Sequence, residues 1–345
     1  MKLSCLSAKT TRTLKCSASL LRGRASGERQ SLRRTTRGLT ASCRLGTSTE
    51  HRFLYQQAKV SCQHHLKSTR APLLGKTRML SSQRTAEGGR SGYKHSGMKG
   101  EKDGGILRVL FIRHAESENN RLYRELCSSD RQDFWDYDRY PDPPLTEEGW
   151  IQAEDLATRL EQNPQLYDFA GRKTGIKRVY TSAMYRALQT ASPIHRRMKI
   201  PTEVWPSIHE TGGVFHMNKG VLRGLTRDQI LVEFSGYNVA EKSGVSTNGW
   251  WRGGVETYDQ MIERAISSKK RLFYMAGQIE EDTTIAVISH GSFLSALIRS
   301  LTQANCSFAL LNTSISCIDI QVSPVEEDDD DCVRVRLHYL NSVSY

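Results

Sequence analysis

The chain reads as an α/β protein: a three-layer α/β/α sandwich around a mostly parallel sheet, with an antiparallel edge hairpin at the C-terminus. Two observations predict this. From about residue 106, short β-branched and aromatic runs alternate with helical stretches, the order that builds parallel sheets covered on both faces. The last two runs, 314–322 and 333–340, have no helix between them.

Gly104 and Gly105 break the chain before Ile106–Ile112, an apolar run that predicts a buried strand. Arg113-His114 ends it, and Ser117 to Leu126 follows with helix-forming composition, Leu122 and Leu126 standing one turn apart. A second strand over Arg178–Tyr180 leads into Thr181-Ser182 and a helix predicted from Ala183 to Ile194, with Ser182 as N-cap and Arg186 in the first turn. Thr284–Ile288 repeats the plan: it runs into Ser289-His290-Gly291 and an apolar helix carrying Phe293, Leu294, Leu297, Ile298 and Leu301. In the hairpin, Val333, Val335, Leu337 and Tyr339 are expected on one face. The joining acids Glu326–Asp331 read as a solvated turn, since consecutive acids lack the alternation of a calcium loop.

Charge divides the chain. Residues 1–100 hold 21 Lys and Arg against Glu28, Glu50 and Glu87, whereas the remainder is net acidic. The leader, residues 1–103, has too little patterned apolar surface to offset chain entropy and is expected to be disordered. Its scattered leucines among Lys2, Lys9, Arg12 and Lys15 suggest a transit peptide for mitochondrion or plastid; without such routing the protein would be cytoplasmic. No continuous apolar segment reaches membrane-spanning length, and the basic residues are not interleaved with aromatics for base stacking. Neither a membrane nor a nucleic acid is therefore an expected partner. Of eight cysteines, Cys127, Cys306, Cys317 and Cys332 follow the leader without metal-ligand spacing and read as reduced thiols. Residues 104–345 suit a single domain.

Ligands of such sheets bind at the carboxyl ends of the strands, so His114, Arg186 and His290 are predicted to meet in one crevice. These residue types suit phosphate-ester chemistry. A phosphate dianion must be neutralised before it is attacked, and Arg113 and Arg186 offer planar forks for its oxygens. The helix N-termini after His114 and His290 would add backbone donors, with Ala115 and Gly291 small enough for close approach. A neutral imidazole needs no deprotonation to attack phosphorus, which nominates His114. The leaving alkoxide needs a proton, and Glu210, in Ile208-His-Glu-Thr-Gly-Gly213, fits a loop-borne acid.

The arrangement resembles the histidine phosphatase superfamily, the phosphoglycerate-mutase-like proteins, over about residues 106–322. The matching residues are Arg113-His114-Ala115-Glu116-Ser117 with Asn120, the Thr181-Ser182 box with Arg186, Ala187, Gln189 and Thr190, then Glu210, and Ser289-His290-Gly291. The resemblance implies a phosphohistidine at His114, phosphate clamping by Arg113, Arg186 and His290, a substrate contact from Asn120, and Glu210 as proton donor and then activator of water. Two departures stand out. Ala115 replaces the family's usual Gly, which a negative φ tolerates. The stretch that follows the Asn in mutases is absent, and Asp142-Pro-Pro-Leu-Thr-Glu-Glu-Gly149 stands there as in the phosphatase branches.

Plainer readings compete at several positions. An Arg-His after a strand is often surface decoration, a histidine before a helix often a cap, and Glu256 rivals Glu210 as the acid. His209 and His216 lack a third metal ligand at useful spacing and read as loop residues. Trp135, Tyr137 and Tyr140, and likewise Trp250 and Trp251, either pack at the sheet's edge or cap the pocket. The expectation is a phosphomonoesterase needing no metal or cofactor and acting on a small phosphorylated substrate or a phosphoprotein. A phosphoglycerate mutase and a non-catalytic phosphate-binding or scaffold protein are the alternatives.

Overall fold

The computed structural model describes residues 104–168, 175–323 and 333–343, the side chain of Val221 excepted. The predicted leader, residues 1–103, and the acidic turn, residues 326–331, lie outside the described residues.

In chain order the elements are β1 (Ile106–Arg113), α1 (Glu118–Ser128), α2 (Trp135–Asp138), α3 (Glu147–Gln162), β2 (Ile176–Thr181), α4 (Tyr185–Met198) and β3 (Thr202–Val204). A small hairpin of β4 (Phe215–His216) and β5 (Gly220–Val221) precedes α5 (Arg227–Glu233), β6 (Tyr237–Asn238) and α6 (Tyr258–Gly277). Then come β7 (Thr283–Ser289), α7 (Gly291–Thr302), β8 (Ile315–Val322) and β9 (Val333–Ser342).

The main sheet has the order β6-β3-β2-β7-β1-β8-β9. The five strands from β6 to β1 run parallel, whereas β8 and β9 are antiparallel additions at one edge, as the missing helix between them predicts. β1 shows why the middle must be covered twice. Leu107, Val109 and Phe111 point into a cluster with Met261, Ala265 and Leu272 of α6 and Phe293, Leu294 and Leu297 of α7. Leu110 and Ile112 point the other way, into Leu156 and Leu160 of α3 and Ala187, Leu188 and Ile194 of α4. Burying each large side chain contributes about 1.5–3 kcal/mol, so neither face could be left to water.

The starts of α3, α5 and α6 are capped locally by Thr146, Thr226 and Thr257. Thr146 accepts the Gly149 N–H at 2.9 Å, and Glu147 and Glu148 sit in the positive first turn of α3. Gly149 has a steric reason as well: a Cβ there would run into the Glu116 carbonyl.

Two expectations about elements are corrected. Ser182 does not cap α4, which begins at Tyr185 and runs beyond Ile194 to Met198. The Tyr185 N–H goes instead to Asp142 Oδ1 at 2.9 Å, while Ser182 Oγ accepts from Met184 N and faces His290. In β9 the one-face pattern fails at Tyr339. The register pairs Ile318 with Leu337 but Cys317 with Tyr339, so His338 is an extra residue on this strand. Such a bulge reverses the side-chain alternation. Val333 and Val335 pack with the α6–α7 layer, and Tyr339 packs with the opposite one.

Candidate active site

Four parallel strands deliver the predicted residues to one edge of the sheet. His114 follows β1, Ser182 follows β2, His290 follows β7, and the chain leaving β3 turns through Pro206–Ile208 to reach His209 and Glu210. Lateral bonds carry the sheet past the strand ends: His114 N donates to Ser289 O at 2.9 Å, Ser182 N to Ile288 O at 3.0 Å, and Trp205 N to Thr181 O at 2.8 Å. Ser289 Oγ then donates to Ile208 O at 2.6 Å, tying the end of β7 to the Glu210 loop.

His114 is 3% exposed. Its Nδ1 lies 2.7 Å from the Ala115 carbonyl, which can only accept, so the proton is assigned to Nδ1. Nε2 is left with its lone pair, and the Nε–H of Arg186 approaches it at 3.2 Å. Burial, followed by the charges of Arg186 and Arg113, holds the imidazole well below its ordinary pKa. The ring is therefore a neutral base with its unprotonated nitrogen turned toward a guanidinium. Ala115 avoids positive φ, so its methyl group is accommodated; its N–H is taken by Thr190 Oγ1 at 3.0 Å.

His290 is fully buried beside it, with the two ring centroids 5.1 Å apart. Its Nε2 stands 2.9 Å from Ser182 Oγ, which already accepts the Met184 N–H. Ser182 Oγ can donate to Nε2 while it accepts the Met184 N–H, and in that arrangement the ring proton sits on Nδ1. That nitrogen is buried and has no partner among the described residues. Burial, then Arg186, keeps His290 uncharged by pushing its pKa well below the usual range. Arg113 donates Nη1 to Leu310 O at 2.6 Å, while its Nε is sealed from solvent with no hydrogen-bond partner among the described residues. Burial pushes its pKa down to about 10, against the opposing pull of Glu210. Gly291 lies against it, and a Cβ there would make ordinary van der Waals contact, 3.4 Å from Arg113 Nε.

The helix N-termini are not vacant anion sites, contrary to expectation. At α7, Glu210 takes the donors: Oε1 accepts Phe293 N at 3.1 Å and Oε2 accepts Ser292 N at 3.2 Å. At α1, Ser117 and Asn120 form a capping pair in which Asn120 Oδ1 accepts the Ser117 N–H at 3.1 Å. Asn120 thus sits at the edge of the site with its carbonyl oxygen engaged, and Asn312 Nδ2 also reaches that oxygen at 3.3 Å.

The two candidate acids differ in their partners. Glu256 is gripped by Arg264, whose Nε and Nη2 donate to its two oxygens at 2.7 and 2.6 Å. Arg264 also donates to the carbonyls of Ser207 and His209, so this pair braces the loop that holds Glu210. His209 is 5% exposed and lies against Trp250 and Trp251. Burial pushes its pKa down to about 3. Both tryptophans pack against this loop through His209; Trp250 also lies on Gly224, and Trp251 on Gly213, whose φ is +69°. Trp135 instead lies edge-on to Tyr123, with Tyr137 and Tyr140 exposed nearby. His216 belongs to the β4–β5 hairpin and accepts the Asn218 N–H.

Three contributors escape sequence reasoning as individual residues. Asp142 caps α4 and stands 3.9 Å from Arg186 Nη1; burial raises its pKa to about 6 although Arg186 opposes this. Asn312 donates to the His114 carbonyl at 2.8 Å. Thr190 bridges Ala115 N and the Arg186 carbonyl. Asp142 and Thr190 lie in stretches that carry the family resemblance, which was the available signal. Nothing in the sequence around Asn312 marks it.

Residues 109–326 match the family model described as histidine phosphatase superfamily (branch 1). Similar proteins include a 2,3-bisphosphoglycerate-dependent phosphoglycerate mutase of Buchnera aphidicola, 21% identical over 56% of this chain and 83% of that protein. A metal-independent phosphoserine phosphatase of Arabidopsis thaliana is 22% identical over 63% of this chain and 77% of its own length. Among solved structures, a phosphoserine phosphatase of Entamoeba histolytica in complex with 3-phosphoglyceric acid aligns with a TM-score of 0.39 and 20% identity, covering 69% of this chain and 98% of that one.

Proposed function

The chain belongs to the histidine phosphatase superfamily, branch 1, and from that premise we propose that it hydrolyses small phosphomonoesters through a phosphohistidine on His114. The observation that carries this reading is the His114 ring itself, with Nδ1 turned to the Ala115 carbonyl and the Nε2 lone pair left available beside Arg186.

In the first step Nε2 attacks phosphorus as the ester P–O bond breaks, and protonated Glu210 gives its proton to the departing alkoxide. Arg113 and Arg186 neutralise the phosphoryl oxygens, and the unpartnered Nδ1–H of His290 donates to one of them. In the second step Glu210, now a carboxylate, takes a proton from water as its oxygen bonds to phosphorus. The P–N bond breaks, inorganic phosphate leaves and neutral His114 returns. Asn120 is assigned a substrate contact through the amide nitrogen that its cap does not use.

Superfamily relatives include phosphatases and mutases, and the Asp142–Gly149 segment favours hydrolysis here. The full chain, incubated in EDTA with a generic phosphomonoester and with 3-phosphoglycerate, separates the readings. Phosphate release supports hydrolysis, isomerisation a mutase, and silence with both a binding protein. An alkaline quench should recover a base-stable, acid-labile phosphoryl group from wild type and none from His114→Ala. The basic leader is proposed as a mitochondrial or plastid transit peptide, which imaging of the tagged full chain tests.

A further inference from the structure

A third guanidinium stands near this site, laid on an aromatic ring and with no carboxylate paired to it among the described residues. Arg139 follows α2 in a segment pinned at two points. The Asn119 side chain bonds both backbone groups of Tyr140, Nδ2 donating to its carbonyl at 2.8 Å and Oδ1 accepting its N–H at 2.8 Å. Three residues after Arg139, Asp142 holds the start of α4. The guanidinium carbon lies 4.4 Å over the Phe215 ring centroid and 5.7 Å from that of Trp135. Phe215 rests in turn on Gly212, where a Cβ would come within 2.8 Å of the ring. Arg139 is thereby laid beside the loop that carries Glu210.

The charge belongs to the same electrostatic neighbourhood. Burial pushes the Arg139 pKa down to about 10, the nearby Arg186 lowers it further, and Asp136, Glu210 and Asp142 act in the opposite sense. Yet its Nε is sealed from solvent with no hydrogen-bond partner, and among the described residues no carboxylate forms an ion pair with it. Arg139 is half-buried, and its sealed Nε–H is a donor left unused at some cost, which a ligand anion would remove.

We propose that Arg139 is a specificity-determining residue that binds a carboxylate on the substrate, so that the site selects phosphomonoesters carrying a second, single negative charge. The fork accepts either anion in bidentate geometry, but its single positive charge is balanced by one carboxylate and exceeded by a second phosphate dianion. The clamps for the transferred phosphoryl group remain Arg113 and Arg186. The assignment rests on the phosphomonoesterase reading above.

The test is a pair of esters that differ by the carboxylate, 3-phosphoglycerate and glycerol 3-phosphate, with the full-length protein. Wild type should favour the acid in kcat/KM by about tenfold or more, the scale of a charge-assisted hydrogen bond. Arg139→Gln should bring the ratio toward one, mainly through KM for the acid, and Arg139→Lys should retain part of the preference. Should the Gln variant not fold, the Lys variant reports the same ratio with a smaller change. A wild type without the preference, or a variant that loses both substrates alike, overturns the assignment. Calorimetric Kd values for the same pair in His114→Ala, with and without the Arg139 change, read the ratio without turnover. An Arg139-dependent preference in Kd with no hydrolysis of either ester overturns only the hydrolytic reading. Equal Kd values overturn the role of Arg139.

Discussion

The Nε–H of Arg186 points at Nε2 of His114 across 3.2 Å, so a single guanidinium both orders the proposed nucleophile and opposes its protonation. Replacing Arg186 by Ala should lower kcat by about 10²–10³, the usual scale for a lost transition-state donor. Because the Arg186 charge lowers the His114 pKa, its removal should also move the acidic limb of the pH–rate profile upward. Steady-state rates from pH 4 to 8 check both.

Glu210→Gln keeps an oxygen for the α7 N-terminus but can neither give nor take the catalytic proton. Turnover of alkyl phosphates should fall by about 10²–10⁴, the range of general acid–base catalysis. The loss should be smaller with p-nitrophenyl phosphate, whose leaving group departs without a proton. Parallel assays on the two esters read the difference.

Asp142 carries a folded-state pKa of about 6, above its unfolded value, so its ionisation works against the fold. Native protein binds the extra proton between roughly pH 4 and 6, and stability drains as pH rises through that window. Asp142→Asn retains an acceptor for the Tyr185 N–H and should be more stable than wild type by on the order of 1–2 kcal/mol at pH 8, with no advantage at pH 4. Urea unfolding at the two pH values measures this.

Far from the site, Arg108 reaches across from β1 to Asp319 of β8 with two bonds of 2.8 and 2.9 Å, and His338 of β9 donates to the same carboxylate. Arg108→Met leaves a buried carboxylate without its main partner and should cost about 3–5 kcal/mol of stability. Catalytic constants at 20 °C should stay near wild type while the protein remains folded. Denaturant titration and a rate assay on the same sample separate the two effects.

How far the sequence reaches can be judged residue by residue. The parallel sheet and its antiparallel edge were legible because apolar runs and helical periods are local signals, and His114, Arg186 and His290 fall at strand ends for the same reason. The start of α4 was misread because its cap, Asp142, lies 43 residues from Tyr185 and no local pattern reports a partner at that distance. The alternation of Val333, Val335, Leu337 and Tyr339 runs unbroken in the sequence, and only pairing with Cys317 and Ile318 exposes His338 as the extra residue. Glu210 and Glu256 were indistinguishable until Arg264 was seen to hold one of them.

β7 lies between β1 and β2, so the strands that carry His114 and lead to Arg186 never touch each other's edges. During synthesis those two strands emerge with nothing to join them, and the strand that completes both ladders comes more than a hundred residues after β2 begins. A ribosome that stalls before Thr283 releases a sheet in two halves, each with an unsatisfied edge open to other chains. His114 and the Arg186 guanidinium become neighbours only when the chain is almost finished.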